Sequence, residues 1–475
     1  MNGGRRRPNR SGPDTTGRPP RVRDDTIVAI ATAPGRGAVA IIRLSGPDAE
    51  RVARRVVAPW PRAPRRLERC RVHEPDAEER LLDDAMAAFF PEGGSYTGEP
   101  VVELHVHGGT SGPTAVRDAC IAAGAREALP GEFTERALLN GRLDLAQAEA
   151  VGALVDARTR SAHRAALGAL SGTLSRLFGA LRDSAIELDA LLAYDIDFPE
   201  EDQGAVHRDA ITACAEGLLA GLRSIVRAAP AGPIARDGAL VVLAGPPNAG
   251  KSSLLNALVG EARAIVSDQP GTTRDAVEVL VDAEPWPVRF VDTAGLRANP
   301  EPIERLGIEV SERYLRAASV VMACAEEHEA LARVVDALGA WSNGEVIPVW
   351  TKRDLAEPGD EAPRQNAEGG LVGVSTHTGA GLDVLWARVM AAVGRAAGSE
   401  DLSPGAALTA RQRAALEHAQ DEVQAFLACW TGNALPVTIC ATHVRGAIHA
   451  LDELIGPVTA DDVLTRVFST FCVGK

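Results

Sequence analysis

The chain has 475 residues and a formal net charge of −14, with 24% charged side chains; that is room for two or three domains, and it argues against a bulk non-specific nucleic-acid coat while leaving a local basic patch open. No apolar run reaches the roughly 18 residues of a membrane span. The seven cysteines (70, 120, 214, 324, 429, 440 and 472) are scattered and form no C-x-x-C pair, so neither a zinc site nor a disulfide framework is expected, and reduced thiols in a cytoplasmic protein are.

Residues 1–23 carry seven arginines among Gly, Pro and Ser, the composition of a disordered basic tail without the apolar core of a secretory signal. From 24 to 140 helical and strand patterns alternate, which predicts a compact α+β domain. Its first elements are two strands, Ile27–Thr32 and Ala38–Leu44, around Pro34-Gly-Arg-Gly37. From Val102 to His107 apolar and polar residues alternate, placing Glu103, His105 and His107 on one face of a strand. A His-x-His pair suits a metal, but with no third ligand in view packing or hydrogen bonding is the better reading. Residues 141–236 are rich in Ala, Leu and Arg, and Leu145, Ala148, Val151, Leu154 and Val155 recur at helical spacing. Such stripes predict bundle contacts rather than chemistry. Residues 237–397 alternate β and α, with strands expected at 239–244, 277–281, 288–291, 319–324, 346–350 and 371–374, hence a mostly parallel sheet covered on both faces. A Gly/Ser/Pro linker starts at Gly398, and helical pattern returns from Leu408. Residues 398–475 are therefore expected to be the second half of a helical domain into which the α/β domain is inserted.

The chemistry lies in the α/β part. Gly245-Pro-Pro-Asn-Ala-Gly-Lys-Ser252 stands between a predicted strand and a predicted helix, the context of a phosphate-binding loop. Its glycines let successive amides turn inward, where with the helix N-terminus they cradle phosphate oxygens. Lys251 then faces the β/γ phosphates and the Ser252 hydroxyl ligates Mg²⁺. Asn248, Ala249, Gly250 and Ser253 complete this set. Asp292-Thr293-Ala294-Gly295 follows a strand, so Asp292 can reach the metal through water and the Gly295 amide the γ-phosphate. Between them, Gly271-Thr-Thr-Arg-Asp275 offers Thr273 as the threonine that closes over Mg²⁺. Thr351-Lys352-Arg-Asp354 follows another strand. A carboxylate there accepts hydrogen bonds from guanine N1 and N2, which adenine cannot offer. Ser375, Thr376 and His377 complete the base pocket. In this order the motifs indicate a guanine-nucleotide hydrolase. Two of the three lysines, Lys251 and Lys352, fall inside them. Where many such enzymes place Gln after Asp-x-x-Gly, this chain has Leu296. Glu301, Glu304 and Glu309 remain candidates to orient water, and no arginine is an obvious internal finger, although Arg274 and Arg297 are near. A monovalent cation can supply the missing charge, held by Asn248 and by carbonyls of the loop Ser267-Asp-Gln-Pro-Gly-Thr272.

These motifs, together with Tyr96-Thr-Gly-Glu, His107-Gly-Gly, Pro130-Gly-Glu-Phe-Thr-Glu-Arg-Ala, Leu143-Asp-Leu-Ala-Gln-Ala-Glu-Ala, Asp197-Phe-Pro-Glu-Glu and the terminal Phe471-Cys-Val-Gly-Lys475, resemble one family over nearly the whole chain after the tail, the tRNA-modification GTPases MnmE (TrmE). The resemblance implies three parts: an N-terminal α+β domain similar to tetrahydrofolate-binding folds, a discontinuous helical domain and an inserted Ras-like GTPase domain. It implies a homodimer formed through the N-terminal domain, and a flavoprotein partner, MnmG, in a heterotetramer or larger complex. The reaction implied is attachment of an aminomethyl or carboxymethylaminomethyl group to C5 of the wobble uridine of certain tRNAs, with 5-formyl-tetrahydrofolate or a related folate as one-carbon donor. It further implies hydrolysis stimulated by K⁺, with Asn248, Ser267, Gln269 and Thr272 as ligands, and a water-orienting Glu304. The remaining nucleotide contacts implied are Asp268, Pro270, Gly271, Thr293 and Ala294. Folate contacts are implied at Arg43, Glu103, Arg142 and Lys475, and Cys472 is either a structural or a reactive thiol. The chain departs from the family at Thr351 (usually Asn), whose hydroxyl can still brace the loop, at Thr376 (usually Ala), at the side chains of Ser267 and Gln269, and at Arg142 (often Lys). A regulatory GTPase of ribosome assembly is the rival reading; it predicts an appended basic RNA-binding module rather than helical flanks.

Overall fold

A computed structural model describes residues 25–197, 208–228, 231–261, 277–292, 313–339, 342–355, 370–398, 408–432, 436–455, 468 and 471–474. The chain divides into two compact units, 1–143 with 458–475, and 144–457.

The first unit is a seven-stranded sheet. Along the chain come β1 (Ile27–Ile30), β2 (Val39–Ser45), α1 (Ala49–Arg54), β3 (Val57–Ala58), β4 (Glu68–Glu74), β5 (Ala77–Phe90), β6 (Val101–His107), α2 (Gly112–Ala122), β7 (Arg126–Glu127) and α3 (Glu132–Leu139). The strand order is β3-β4-β5-β6-β2-β1-β7, antiparallel except for the β1–β7 pair. Period-two alternation sends Ile42, Leu44, Val102, Leu104 and Val106 into one core with Val52, Val116 and Cys120. The same alternation puts Arg43, Glu103 and His105 on the opposite face. Buried charge ties α3 to the start of β1. The Arg136 guanidinium, 8% exposed, reaches Asp25 (2.6 Å), Glu132 (3.0 Å) and Glu99 (3.2 Å). Burial pushes the Asp25 and Glu132 carboxyls up, but hydrogen bonds from Arg126 and Arg136 outweigh it and hold both below the usual carboxylate range.

The C-terminal residues belong to this unit. Val473 pairs with Pro130 in an antiparallel bridge. Phe468 is 2% exposed, and its Cβ lies 2.9 Å from where a side chain on Gly131 would begin. A Cβ on Gly474 would stand 2.5 Å from the Ile30 carbonyl oxygen. The described C-terminal residues thus lie against Pro130, Gly131 and the end of β1, a contact that periodicity cannot reveal.

The second unit holds a helical bundle and a six-stranded sheet. The bundle contains α4 (Leu145–Asp156), α5 (Arg160–Leu170), α6 (Thr173–Asp197) and α7 (Arg208–Ala228). After α8 (Ala231–Asp237) the chain enters the sheet through β8 (Ala239–Ala244), α9 (Lys251–Glu261), β9 (Val277–Val281), β10 (Val288–Asp292), β11 (Val320–Ala325), α10 (His328–Gly339), β12 (Glu345–Trp350), β13 (Val372–Gly373) and α11 (Leu382–Ala397). It returns to the bundle as α12 (Ala410–Gly432) and α13 (Val437–Ile455). One core joins Phe178, Leu188 and Leu192 of α6 with Leu218 and Leu222 of α7, Phe426 of α12 and Leu451 of α13. The sheet order is β13-β12-β11-β8-β10-β9, parallel except for edge strand β9. Every residue of β8 and β11 is buried, as central strands covered on both faces require. The β9–β10 turn meets the first turn of α5: the Arg160 amide donates to Asp282 Oδ1 at 3.0 Å and Ser161 Oγ to the Pro285 carbonyl at 2.9 Å.

The expectation of reduced thiols throughout is corrected. Cys429 and Cys440 form a disulfide between α12 and α13, their Cα atoms 5.8 Å apart. Sequence spacing carries no sign of it, because only the antiparallel packing of two helices brings the positions within bridging distance. Among the described residues no helix is long and apolar enough to cross a membrane.

Arg136→Ala strips a buried guanidinium from three carboxylates and is expected to cost about 3–5 kcal/mol at neutral pH. Because Asp25 and Glu132 are held below their ordinary values, their contribution is full above the unfolded carboxylate pKa of about 4 and disappears as pH falls through the lower folded values. The penalty should therefore shrink below about pH 4. Urea denaturation of parent and variant across pH checks this; a penalty independent of pH would contradict it.

Candidate nucleotide and anion sites

The phosphate loop leaves the C-terminal end of β8 and enters α9 at Lys251. Gly245 (φ +154°) runs against β11 so closely that a Cβ there would lie 2.1 Å from the Cys324 carbonyl oxygen. No other residue type fits that approach. Asn248 (φ +63°) and Gly250 (φ +76°) turn the loop through left-handed conformations. The Lys251 ammonium donates to the carbonyls of Gly245 (2.9 Å) and Pro246 (2.7 Å), which places it over the concave side of the loop. Ser252 Oγ donates to Asp292 Oδ2 at 2.5 Å, and Asp292, last residue of β10, is 3% exposed. Two hard oxygens from different elements thus converge at the mouth of the loop, a donor set that fits Mg²⁺. Beneath the loop, burial pushes the Cys324 thiol up to about 12, so it is inert.

The base side is built at the ends of β12 and β13. The Trp350 indole donates to the Glu326 carbonyl at 2.8 Å, and the Thr351 amide to the Ala325 carbonyl at 2.9 Å. Lys352 takes φ +57° and ion-pairs with Glu326. A hydrogen bond from the Ser375 side chain, then its own amide, holds the Asp354 carboxyl below the usual range. Ser375 is 1% exposed, and its amide bonds the Ala380 carbonyl at 3.0 Å; Thr376 and His377 are exposed. The structure thus brings Asp354 and Ser375 together at one end of the sheet and Lys251, Ser252 and Asp292 together at the phosphate loop. Ser267, Asp268, Gln269, Pro270, Gly271, Thr272, Thr273, Thr293, Ala294, Gly295, Glu301, Glu304 and Glu309 lie outside the described residues.

In the first unit, Arg43 on β2 stands opposite Glu103 on β6. Their side chains, 22% and 19% exposed, make an ion pair at 2.9 Å. The guanidinium lies 5.8 Å from the Tyr96 ring centroid and 5.7 Å from that of Phe133. Tyr96 Oη and Thr134 Oγ1 hydrogen-bond at 2.9 Å, and burial pushes the phenol up. His105 Nε2 is 3.7 Å from Glu103 Oε2. The metal reading of His-x-His finds no support: His107 Nδ1 is engaged by Asp83 at 2.6 Å, and no group of three metal-ligating side chains occurs among the described residues. Arg142 is exposed and donates to the Gly93 carbonyl at 3.4 Å, in the turn that carries Tyr96. The Cys472 carbonyl accepts from the Gly131 amide at 3.4 Å, at the entrance to α3, while its thiol is exposed. Lys475 lies outside the described residues. Tyr96 and Phe133, which wall the Arg43–Glu103 pair, were not singled out as site residues; both sit inside the motifs Tyr96-Thr-Gly-Glu and Pro130-Gly-Glu-Phe, and that was the available signal.

Comparison with known proteins gives two family matches. Residues 145–472 match the family described as the MnmE helical domain, and residues 26–142 match the GTP-binding protein TrmE N-terminus. A tRNA modification GTPase MnmE of Neisseria meningitidis serogroup C is 41% identical over 459 residues, covering 95% of this chain and 99% of its own. The protein of the same name from Symbiobacterium thermophilum is 38% identical over 471 residues, with 95% and 100% covered. Among solved structures, the G domain of the T. maritima FeoB iron transporter is 26% identical over 32% of this chain and 97% of its own, with a TM-score of 0.26.

Gly245→Ala forces a Cβ into backbone and should destabilise the sheet unit by about 1–3 kcal/mol while weakening nucleotide binding. Gly260→Ala, in α9 with nothing within 4 Å of the added carbon, should be neutral or stabilising by up to about 1 kcal/mol. Denaturant titration and equilibrium binding of GDP separate the two; parent-like behaviour of Gly245→Ala would refute the close-approach argument.

Proposed function

The chain belongs to the MnmE (TrmE) family of tRNA-modification GTPases, and we propose that it hydrolyses GTP as part of the machinery that substitutes C5 of the wobble uridine of tRNA. The observation that carries this reading is the phosphate loop with its Ser252–Asp292 contact, in a chain aligned with curated tRNA modification GTPases over 95% of its length. The loop amides and Lys251 bind the phosphates. Ser252 and Thr273 would hold Mg²⁺, with Asp292 reaching it through water, and the ion would neutralise charge on the phosphates. Asp354, supported by Ser375, reads the guanine edge: its carboxylate accepts from guanine N1–H and N2–H, which adenine does not offer. Glu304 orients the attacking water, and Asn248, Ser267, Gln269 and Thr272 would hold K⁺, which would supply the positive charge of an arginine finger. The other loop and switch residues, Asp268, Pro270, Gly271, Thr293, Ala294 and Gly295, line the nucleotide.

The Arg43–Glu103 pair supports a one-carbon folate site. A carboxylate on a sheet face accepts from the N–H edge of a pterin, the exposed ring of Tyr96 suits a flat ring, and Arg142 and Lys475 suit the carboxylates of the glutamate tail. In this reading the chain is a cytoplasmic homodimer, joined through the N-terminal unit, that acts on tRNA with a flavoprotein of the MnmG kind.

Steady-state GTP hydrolysis in KCl against NaCl at equal ionic strength tests the cation reading. Rates at least about tenfold higher in KCl are expected, since one well-placed charge in the transition state is worth that much or more. Equal rates would sink it and reopen the case for a partner-activated switch. Glu304→Ala should retain GTP affinity and lose turnover by about 100-fold or more; parallel loss of binding and turnover would remove Glu304 from the water-orienting role.

A further inference from the structure

The formal net charge of the chain is −14, yet the connection from β3 to β4 is basic. From Pro59 to Leu67 it carries Arg62, Arg65 and Arg66 and no acidic residue. All three arginines are exposed. The arginines around them are neutralised: Arg51 by Asp48, Arg54 by Glu50, Arg55 by Asp76 and Arg69 by Asp84. Arg62 and Arg66 have no carboxylate partner among the described residues. The next acidic residue, Glu68, spends its carboxylate on the Arg62 backbone amide at 3.2 Å.

The connection is held in one shape. Pro59, Pro61 and Pro64 restrict its backbone. Trp60 packs on Phe89 of β5, their ring centroids 5.8 Å apart, and the Arg54 guanidinium covers the Trp60 ring at 4.4 Å. Arg65 turns through φ +59°. Its amide donates to the Phe89 carbonyl at 2.7 Å, and its Nη2 donates to the Gly94 carbonyl at 3.0 Å. A side chain on Gly94 would run into that guanidinium. Like charges gathered on so fixed a loop repel one another, so stability gives no reason to collect them there; a polyanion does. The loop also stands beside the candidate folate site. Arg142 donates to the Gly93 carbonyl at 3.4 Å, so Arg65 and Arg142 grip neighbouring residues of the turn that leads to Tyr96.

We propose that Arg62 and Arg66 form a docking surface for the phosphate backbone of tRNA, with Arg65 anchoring the loop to the turn that carries Tyr96. Guanidinium forks bind phosphate oxygens in pairs, and such contacts fix where the RNA lies without reading its sequence. Because the loop is already ordered, little ordering cost remains for the encounter. The surface brings RNA to the unit that holds the proposed one-carbon site, on the side where Tyr96 and Arg142 lie. The proposal rests on the tRNA-modification reading, which binding of tRNA by the parent chain reports separately.

The test is Arg62→Gln/Arg66→Gln in the full chain, measured for binding of an unmodified tRNA transcript over a KCl series, for binding of 5-formyl-tetrahydrofolate and for GTP hydrolysis. A control, Arg164→Gln/Arg413→Gln, removes the same charge from the second unit, where both arginines are ion-paired. The loop variant is expected to bind tRNA about tenfold or more weakly at about 0.1 M salt. Its slope of log affinity against log salt should shrink by about 1.4–1.8, the counterions of two phosphates. Folate binding and GTP hydrolysis should stay parental, and the control should bind tRNA like the parent. Parental tRNA binding by the loop variant would overturn the proposal while leaving the tRNA-modification reading in place. Loss of folate affinity instead of tRNA affinity would also overturn it, and would assign the arginines to the carboxylates of the glutamate tail. Equal weakening in the control would reduce the effect to net charge and overturn it too. If the parent itself binds no tRNA, the proposal and the reading beneath it both fall.

Discussion

The second unit depends on how closely one loop can lie against one strand. A row of backbone amides holds phosphate only if the backbone is fixed, and here it is fixed by contact of Gly245 with the Cys324 carbonyl, a contact that admits no side chain. That approach in turn requires β8 and β11 to be neighbours in the middle of the sheet with every residue buried. The apolar runs of those strands are thus the condition for the site as well as for the core. Lys251, Ser252 and Asp292 then acquire their places from the ends of α9 and β10 with no freedom left to the loop itself.

The same sheet is held by its flanks. The chain leaves the bundle at α7, builds the sheet and comes back at α12, so the bundle core joins residues more than two hundred positions apart, such as Phe178 and Phe426. Strands β9, at the edge, and β10, next to it, run from the end that carries Asp292 to a turn whose Asp282 and Pro285 accept hydrogen bonds from the first turn of α5. A single hairpin therefore connects the carboxylate that Ser252 bonds with the bundle. In the first unit, α3 plays the corresponding part. Its entrance at Gly131 receives the C-terminal residues, its Phe133 packs under Arg43, and its buried Arg136 reaches the carboxylates of Asp25, Glu99 and Glu132.

Much of this was legible in the residues. The phosphate loop announces itself because its glycines, lysine and serine stand between a buried strand and a helix, and no other local structure needs that combination. The alternation from Val102 to His107 placed Glu103 and His105 on one face because a strand has no other way to arrange them. What stayed hidden is what depends on distance along the chain. Cys429 and Cys440 meet only because two helices pack antiparallel. The tail seats on Pro130 and Gly131 through shape rather than pattern. Tyr96 and Phe133 were visible as motif members, yet their joint placement around Arg43 is a tertiary fact.

The central claim is that this chain serves tRNA modification through its nucleotide site. The most direct measurement is nucleoside analysis, by mass spectrometry, of bulk tRNA from cells lacking the chain and from the same cells supplied with the parent or with Lys251→Ala. The account predicts loss of the C5-substituted wobble uridine without the chain, recovery with the parent and no recovery with Lys251→Ala. An unchanged nucleoside profile in cells lacking the chain would contradict it.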